Sequence, residues 1–277
     1  MKRLKIFQSK QELREWRENL GGSLGFVPTM GALHAGHLSL AQKSLEQNTH
    51  TLFSIFVNPT QFGANEDFDK YPKTLDKDIQ LAQSIGVDAI FAPNISEMYE
   101  DSDPITLNPP KLMGSVYEGS HREGHFAGVL QIVLKLLMLT QAKYAYFGRK
   151  DAQQLLLIQK MVKDFFIPTQ IIPCPIVRDI DGLALSSRNI YLTQKERQDA
   201  LQIPQTLQWI QESFLQGERD THKLRTLALE RLDKVKVDYL AFCDHSLQEL
   251  PSILPSQTLV LLTAKVGNTR LLDNLWL

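Results

Sequence analysis

The stretch Ser23-Leu24-Gly25-Phe26-Val27-Pro28-Thr29-Met30-Gly31-Ala32-Leu33-His34-Ala35-Gly36-His37 decides the fold. The apolar run 23–27 ends at Pro28, and from Ala35 to Glu46 the residues Leu38, Ala41 and Leu45 recur at helical spacing. A strand therefore passes through a glycine-bearing turn into a helix. The same alternation continues outward. Leu52–Val57 is an unbroken β-rich run stopped by Asn58-Pro59, as expected of a strand buried on both faces. Thr74–Ile85 reads as a helix closed by Gly86, and Val87–Phe91 as a strand. His125–Thr140, Tyr144–Phe147, Asp151–Phe165 and Thr169–Ile172 repeat the pattern. Strands alternating with such helices predict an α/β fold, a Rossmann-like doubly wound parallel sheet.

The pattern changes after the Pro-rich run Ile172-Pro173-Cys174-Pro175. From Thr193 to Lys234 come two polar amphipathic helical stretches with Gly217 as the break, then short strands at Val237–Cys243 and Thr258–Thr263 and an apolar segment near Leu271. We therefore expect a larger domain over 1–177 and a smaller C-terminal α+β domain over 178–277.

Composition bounds the function. Thirty Lys and Arg against 31 Asp and Glu in 277 residues give a net charge of −1, so no global positive excess would hold a polyanion, and a nucleic-acid partner is not expected. The most apolar stretch, Phe126–Leu139, is interrupted by Gln131 and Lys135 and falls short of the about 20 residues that span a bilayer. The basic start, 1–5, is not followed by the apolar run of a secretory signal. Cys174 and Cys243 lack CxxC spacing and suit a reducing cytoplasm.

Four blocks carry chemistry. In Pro28–His37 the two glycines allow close backbone approach, and the helix start offers N–H groups to phosphate. His34 and His37, three apart, share a face and could donate to a phosphate carrying developing charge. Metal ligation is the weaker reading, because helical zinc pairs need i,i+4 spacing and a third ligand; no protein metal set is expected. In Phe56-Val57-Asn58-Pro59-Thr60-Gln61-Phe62, Asn58 and Gln61 bring amides to the same sheet edge. In Phe147-Gly148-Arg149-Lys150-Asp151-Ala152-Gln153-Gln154, Lys150 is poised for phosphate, Asp151 for a helix cap or the nucleotide, and Gln154 lies one turn on. Gly182–Asn189, with Ser186, Ser187 and Arg188, reads as a small mobile loop suited to a triphosphate. Gly119–Phe126, between these, suggests a polar lining, with helix capping by His125 equally open.

Together with Thr269-Arg270-Leu271-Leu272-Asp273-Asn274 near the end, these blocks resemble, in order and over nearly the whole chain, the pantoate–β-alanine ligase family of the HIGH-type nucleotidyltransferase superfamily. The resemblance implies an ATP-dependent ligase joining pantoate and β-alanine to give pantothenate, AMP and pyrophosphate through pantoyl-adenylate. It implies that Met30, Gly31, Ala32, Leu33, His34, Ala35, Gly36 and His37 hold ATP, with His37 the proton donor. Gly148, Arg149, Lys150 and Asp151 would also serve the nucleotide, Val177 would contact adenine, and Leu185, Ser186, Ser187 and Arg188 would form the loop over the phosphates. Gln61 would contact pantoate and β-alanine, Gln154 pantoate, and Asn58 would sit nearby. Mg²⁺ and a cytoplasmic homodimer are implied as well, with the smaller domain acting as a lid.

Two positions depart from the family pattern: Arg149 stands where Glu is usual and Glu123 where Pro is usual. Arg149 is expected to add positive charge beside the nucleotide. A dinucleotide-forming transferase shares HxGH but does not call for FVNPxQF with KDxQQ. A tRNA synthetase needs a basic RNA face. A non-catalytic nucleotide sensor would bind ATP without turnover.

Overall fold

A computed structural model of the protein describes all residues except 1, 2, 64, 65, 67 and 102. Two residues of the basic start thus lie outside the described residues. In chain order the elements are β1 (Lys5–Phe7), α1 (Lys10–Glu18), β2 (Leu24–Thr29), α2 (Ala35–Gln47), β3 (His50–Ile55), α3 (Leu75–Ser84), β4 (Ala89–Phe91), α4 (Ile95–Met98) and α5 (Glu118–His121). They continue with α6 (His125–Thr140), β5 (Tyr144–Gly148), α7 (Ala152–Asp164), β6 (Gln170–Cys174), α8 (Gln194–Ala200), α9 (Gln202–Leu215), α10 (Thr221–Glu230), β7 (Lys236–Cys243), β8 (Leu259–Val266) and β9 (Thr269–Trp276).

The chain divides into two compact units, residues 1–148 with 157–174 and residues 149–156 with 175–277. This differs from a single cut at Val177. The segment 149–156, which opens α7, groups with the second unit.

In the first unit six parallel strands lie in the order β1-β4-β3-β2-β5-β6. Strand order reverses between β2 and β5, the switch point where a doubly wound sheet opens a crevice at its carboxyl edge. The core behind the signature loop contains Val27, Leu33, Leu40, Phe53, Ile90 and Tyr146. Helix α2 lies against β2, β3 and β5, whereas α6 meets α1 and β2. β1 and α1 were not expected. Three residues are too few to show a strand period. α1 buries only Leu13, so its sequence reads as surface, although its Ser9–Glu12 capping box was a legible start signal.

In the second unit β7, β8 and β9 form an antiparallel sheet. Helices α9 and α10 cover it through Ile203, Leu207, Ile210, Leu224 and Ala228. Three helices occupy the stretch where two were expected, because Thr193 and Glu196 cap a separate α8. No helix among the described residues is long and apolar enough to cross a membrane.

Candidate active site

The signature loop is shaped by Thr29, Gly31 and Ala32 within it and by Asp78 from α3. Thr29, ending β2, donates from Oγ1 to the Ser54 carbonyl at 2.7 Å and accepts from Gly31 N–H at 3.1 Å. Gly31 then takes φ +85°, and Ala32 follows at +51°, a left-handed conformation that a non-glycine residue holds only when its surroundings enforce it. The enforcing group is Asp78 on α3, 1% exposed. Its carboxylate accepts from Ala32 N–H at 3.0 Å, Leu33 N–H at 2.8 Å and the Thr74 hydroxyl at 3.2 Å. Sequence reasoning missed Asp78, because nothing local links it to a loop 46 residues earlier.

His34 and His37 form an unusual capping box at the start of α2. His34 is the N-cap, and its Nδ1 accepts from Gly36 N–H at 3.1 Å. His37, at N3, accepts on Nδ1 from His34 N–H at 3.4 Å. The ring centroids are 4.1 Å apart. A ring accepting on Nδ1 carries its proton on Nε2, so the backbone sets both imidazoles as Nε2–H donors. The histidines share a face as expected, but His34 caps the helix rather than riding on it.

The amides of the second block are held in a buried cluster. Asn58 Nδ2 donates to Gln61 Oε1 and to the Gly128 carbonyl, each at 3.1 Å, and Asn58 Oδ1 accepts from Tyr99 at 2.7 Å and Thr60 at 3.0 Å. Gln61 Nε2 reaches Met30 Sδ at 3.1 Å, which joins this block to the signature loop. Gly128 has to be glycine, because a Cβ there would stand 2.2 Å from the Thr60 carbonyl.

His125 opens α6, but its ring is not a cap. Nδ1 meets the Gln61 carbonyl at 2.8 Å, so it donates, and Nε2 accepts from Arg122 at 2.8 Å. Arg122 is in turn paired with Glu66. Burial, with Arg122 alongside, lowers the His125 pKa to about 4, opposed by the Gln61 carbonyl, Glu66 and Glu118. An unfolded chain binds this proton below about pH 6.5, whereas the folded one resists it until about pH 4, so stability falls with acidification across that window. The loss amounts to roughly 3 kcal/mol at most. Urea titrations between pH 7 and pH 4 should show this slope, and His125→Asn should flatten it; an unchanged slope in the variant would exclude His125 as its source.

In the second unit Lys150 Nζ lies 3.6 Å from Asp151 Oδ1. The Arg149 guanidinium sits over the Trp276 ring at 5.2 Å. That indole face engages Arg149, which qualifies the expectation that its charge is simply added beside the nucleotide. Gln154 is half-buried near the start of α7. The Val177 carbonyl accepts from Leu185 N–H at 3.0 Å, tying these two predicted residues into one hairpin. Ser186 caps a 3-10 turn over Ser187–Tyr191 by accepting from Arg188 N–H at 3.2 Å. Asn189 bonds the Ala184 carbonyl at 3.0 Å. The expected loop thus takes the form of a hairpin followed by a 3-10 turn.

A cavity of about 570 Å³ opens at the carboxyl ends of β3 and β4 and is lined by Met30, Gly31, Phe56, Lys73 and Asp78 among others. Of the predicted residues it takes only Met30 and Gly31, from the side of the loop that Asp78 grips. Among the described residues no group of three or more His, Cys, Asp or Glu side chains could hold a metal ion.

At the switch point of a Rossmann-like sheet, β2, the signature turn and α2 present paired histidines at a helix start, the arrangement of an α/β nucleotide-binding protein. Within that class the chain belongs to the pantoate–β-alanine ligase family, whose model matches residues 5–276. It is 53% identical over 275 residues to the pantothenate synthetase of Helicobacter pylori (strain ATCC 700392 / 26695), covering 99% of this chain and all of that protein. Identity to the Wolinella succinogenes pantothenate synthetase is 49% over 274 residues, again across 99% of this chain and all of the relative. The crystal structure of pantothenate synthetase from Thermus thermophilus superposes with a TM-score of 0.93 at 37% identity, covering 98% of this chain and 99% of that one. A pantoate–β-alanine ligase from Francisella tularensis, complexed with β-γ ATP and β-alanine, gives 0.81 at 36% identity and covers 99% and 98%. The protein is accordingly a ligase that condenses pantoate with β-alanine using ATP.

Proposed function

We propose that the condensation runs in two steps through pantoyl-adenylate. The pantoate carboxylate attacks the α-phosphorus of ATP and pyrophosphate leaves. The β-alanine amine then attacks the acyl carbon and AMP leaves. The observation that carries this reading is the pair of Nε2–H donors at the start of α2, fixed by backbone N–H groups on each Nδ1. Donors set in advance where negative charge grows need no reorganisation when it appears. In this reading His34 and His37 serve the phosphates, and His37, its Nδ1 occupied as an acceptor, donates a hydrogen bond from Nε2–H to the departing pyrophosphate. Met30–His37 contribute backbone and helix dipole to ATP. Lys150 offsets phosphate charge, with Gly148, Arg149 and Asp151 around the nucleotide. Val177 meets adenine, and Leu185–Arg188 meet the triphosphate. Gln61 orients pantoate and β-alanine, supported by Asn58, and Gln154 binds pantoate.

Mg²⁺ when bound offsets the charge of two anions brought together. It needs no cage of protein ligands, since this ion keeps water and takes phosphate oxygens with one or two carboxylates. The exposed Asp151 is the carboxylate this chain offers beside Lys150. The homodimer implied by the resemblance and a cytoplasmic location complete the proposal, the latter in keeping with two buried cysteines.

The test is incubation with ATP, Mg²⁺, pantoate and β-alanine, with mass detection of products. Pantothenate and AMP in equal amounts are expected; ADP in place of AMP would sink the adenylate route. Gln154→Ala should raise KM for pantoate about tenfold or more while KM for ATP stays within about twofold, as loss of a substrate hydrogen bond predicts. Equal rises would remove Gln154 from the pantoate site.

A further inference from the structure

The block Thr269–Asn274 has no part in the chemistry described so far, yet it places two adjacent polar residues, Asp273 and Asn274, at 3% exposure each. Buried polar groups are tolerated only when bonded, so where their bonds go is informative. Asn274 Nδ2 donates to the Arg149 carbonyl at 2.8 Å and the Lys150 carbonyl at 2.7 Å. Its Oδ1 accepts from the Trp276 indole N–H at 2.8 Å. The amide orientation is fixed by these three bonds, because the reverse would set oxygen against two carbonyls. Asp273 accepts both arms of Arg178, at 2.5 and 3.0 Å, and the Asn274 N–H at 2.8 Å. Arg178 also donates to the Gly182 carbonyl at 3.1 Å. It follows Val177, whose carbonyl closes the hairpin onto Leu185.

We propose that Asp273 and Asn274 are positioning residues for the nucleotide. Asn274 holds the backbone that carries Lys150, Asp273 through Arg178 holds the hairpin from Val177 to Leu185, and one strand, β9, thereby keeps both segments in register. This rests on the reading that those two segments bind ATP. The segment 149–151 lies between β5 and α7 with no ladder of its own, so a side-chain amide supplies the bonds that a neighbouring strand would otherwise provide. A slack backbone there would let the Lys150 ammonium sweep a wide arc, and a misplacement of about 1 Å is enough to slow a reaction about 10²-fold.

Three variants test it, each assayed for AMP formation with ATP and pantoate varied separately. Asn274→Asp keeps the shape but turns an acceptor toward two carbonyls. Trp276→Phe keeps a ring beneath Arg149 and removes only the N–H that orients the amide. Lys150→Ala is the reference for the ATP reading. Asn274→Asp should raise KM for ATP about tenfold and Trp276→Phe about threefold, with KM for pantoate within about twofold in both. If Lys150→Ala raises KM for ATP and neither other variant does, the positioning role is overturned. Equal rises for ATP and pantoate would mark general loosening and overturn it as well. Unchanged ATP dependence in Lys150→Ala would instead take down the reading beneath it. Should Asn274→Asp fail to fold, Trp276→Phe decides alone by the same criteria.

Discussion

Pantoate-dependent exchange of pyrophosphate into ATP should be lost, or nearly so, in His34→Ala and in His37→Ala while both variants remain folded. Each removes one preorganised donor, a change expected to lower the rate about 10²–10³-fold. The two losses should not add. The rings lie 4.1 Å apart, so each loses the packing of its neighbour when the other is removed. Asparagine separates donor from scaffold at His34. His34→Asn retains an N-cap acceptor for Gly36 N–H but cannot extend an N–H to where Nε2–H stands. It should therefore fold as well as the parent and still be severely impaired. Full exchange activity in either alanine variant would refute the roles given to the pair.

The second large effect is expected at Asp78, which is given no substrate contact of its own but grips Ala32 and Leu33 of the proposed ATP segment. Asp78→Ala strips the buried Leu33 N–H and the half-buried Ala32 N–H of their acceptor and frees Ala32 from its left-handed conformation. Unsatisfied buried donors cost about 1–3 kcal/mol each, so a stability loss of roughly 2–4 kcal/mol is expected in urea titrations. The loop leads directly into His34, and its displacement should reduce kcat/KM for ATP about 10²-fold. Asp78→Asn keeps the volume and one acceptor oxygen. It should fold more stably than the alanine variant and fall between it and the parent in activity. Parental activity in Asp78→Ala would mean that the loop holds its shape without the carboxylate.

The legible parts of this molecule were those written in local periodicity. The helix His125–Thr140 coincides with the expected span because its apolar run begins after Gly124 and gives way to the polar Gln141. The signature turn was readable because a proline, two glycines and two histidines stand at fixed offsets between a strand and a helix. The departures have equally definite causes. The Gly182–Asn189 segment read as a plain loop because its residues are small and polar, and its hairpin and 3-10 turn come from the Val177–Leu185 pairing and the Ser186 cap. Arg149 looked like a bare charge until the ring of Trp276, far along the chain, came to lie beneath it.

By itself the sequence determined the alternating architecture, the order of the blocks and the candidate donors, because these depend on residues within a turn or two of one another. Only the tertiary structure decided which tautomer His125 carries, what grips the signature loop and what braces Lys150. Those answers lie in hydrogen bonds from Asp78, His125 and Asn274 to backbone groups brought near by folding. A backbone carbonyl or N–H has no sequence signal of its own, since every non-proline residue carries both; which side chain finds it is fixed only when the strands are in register.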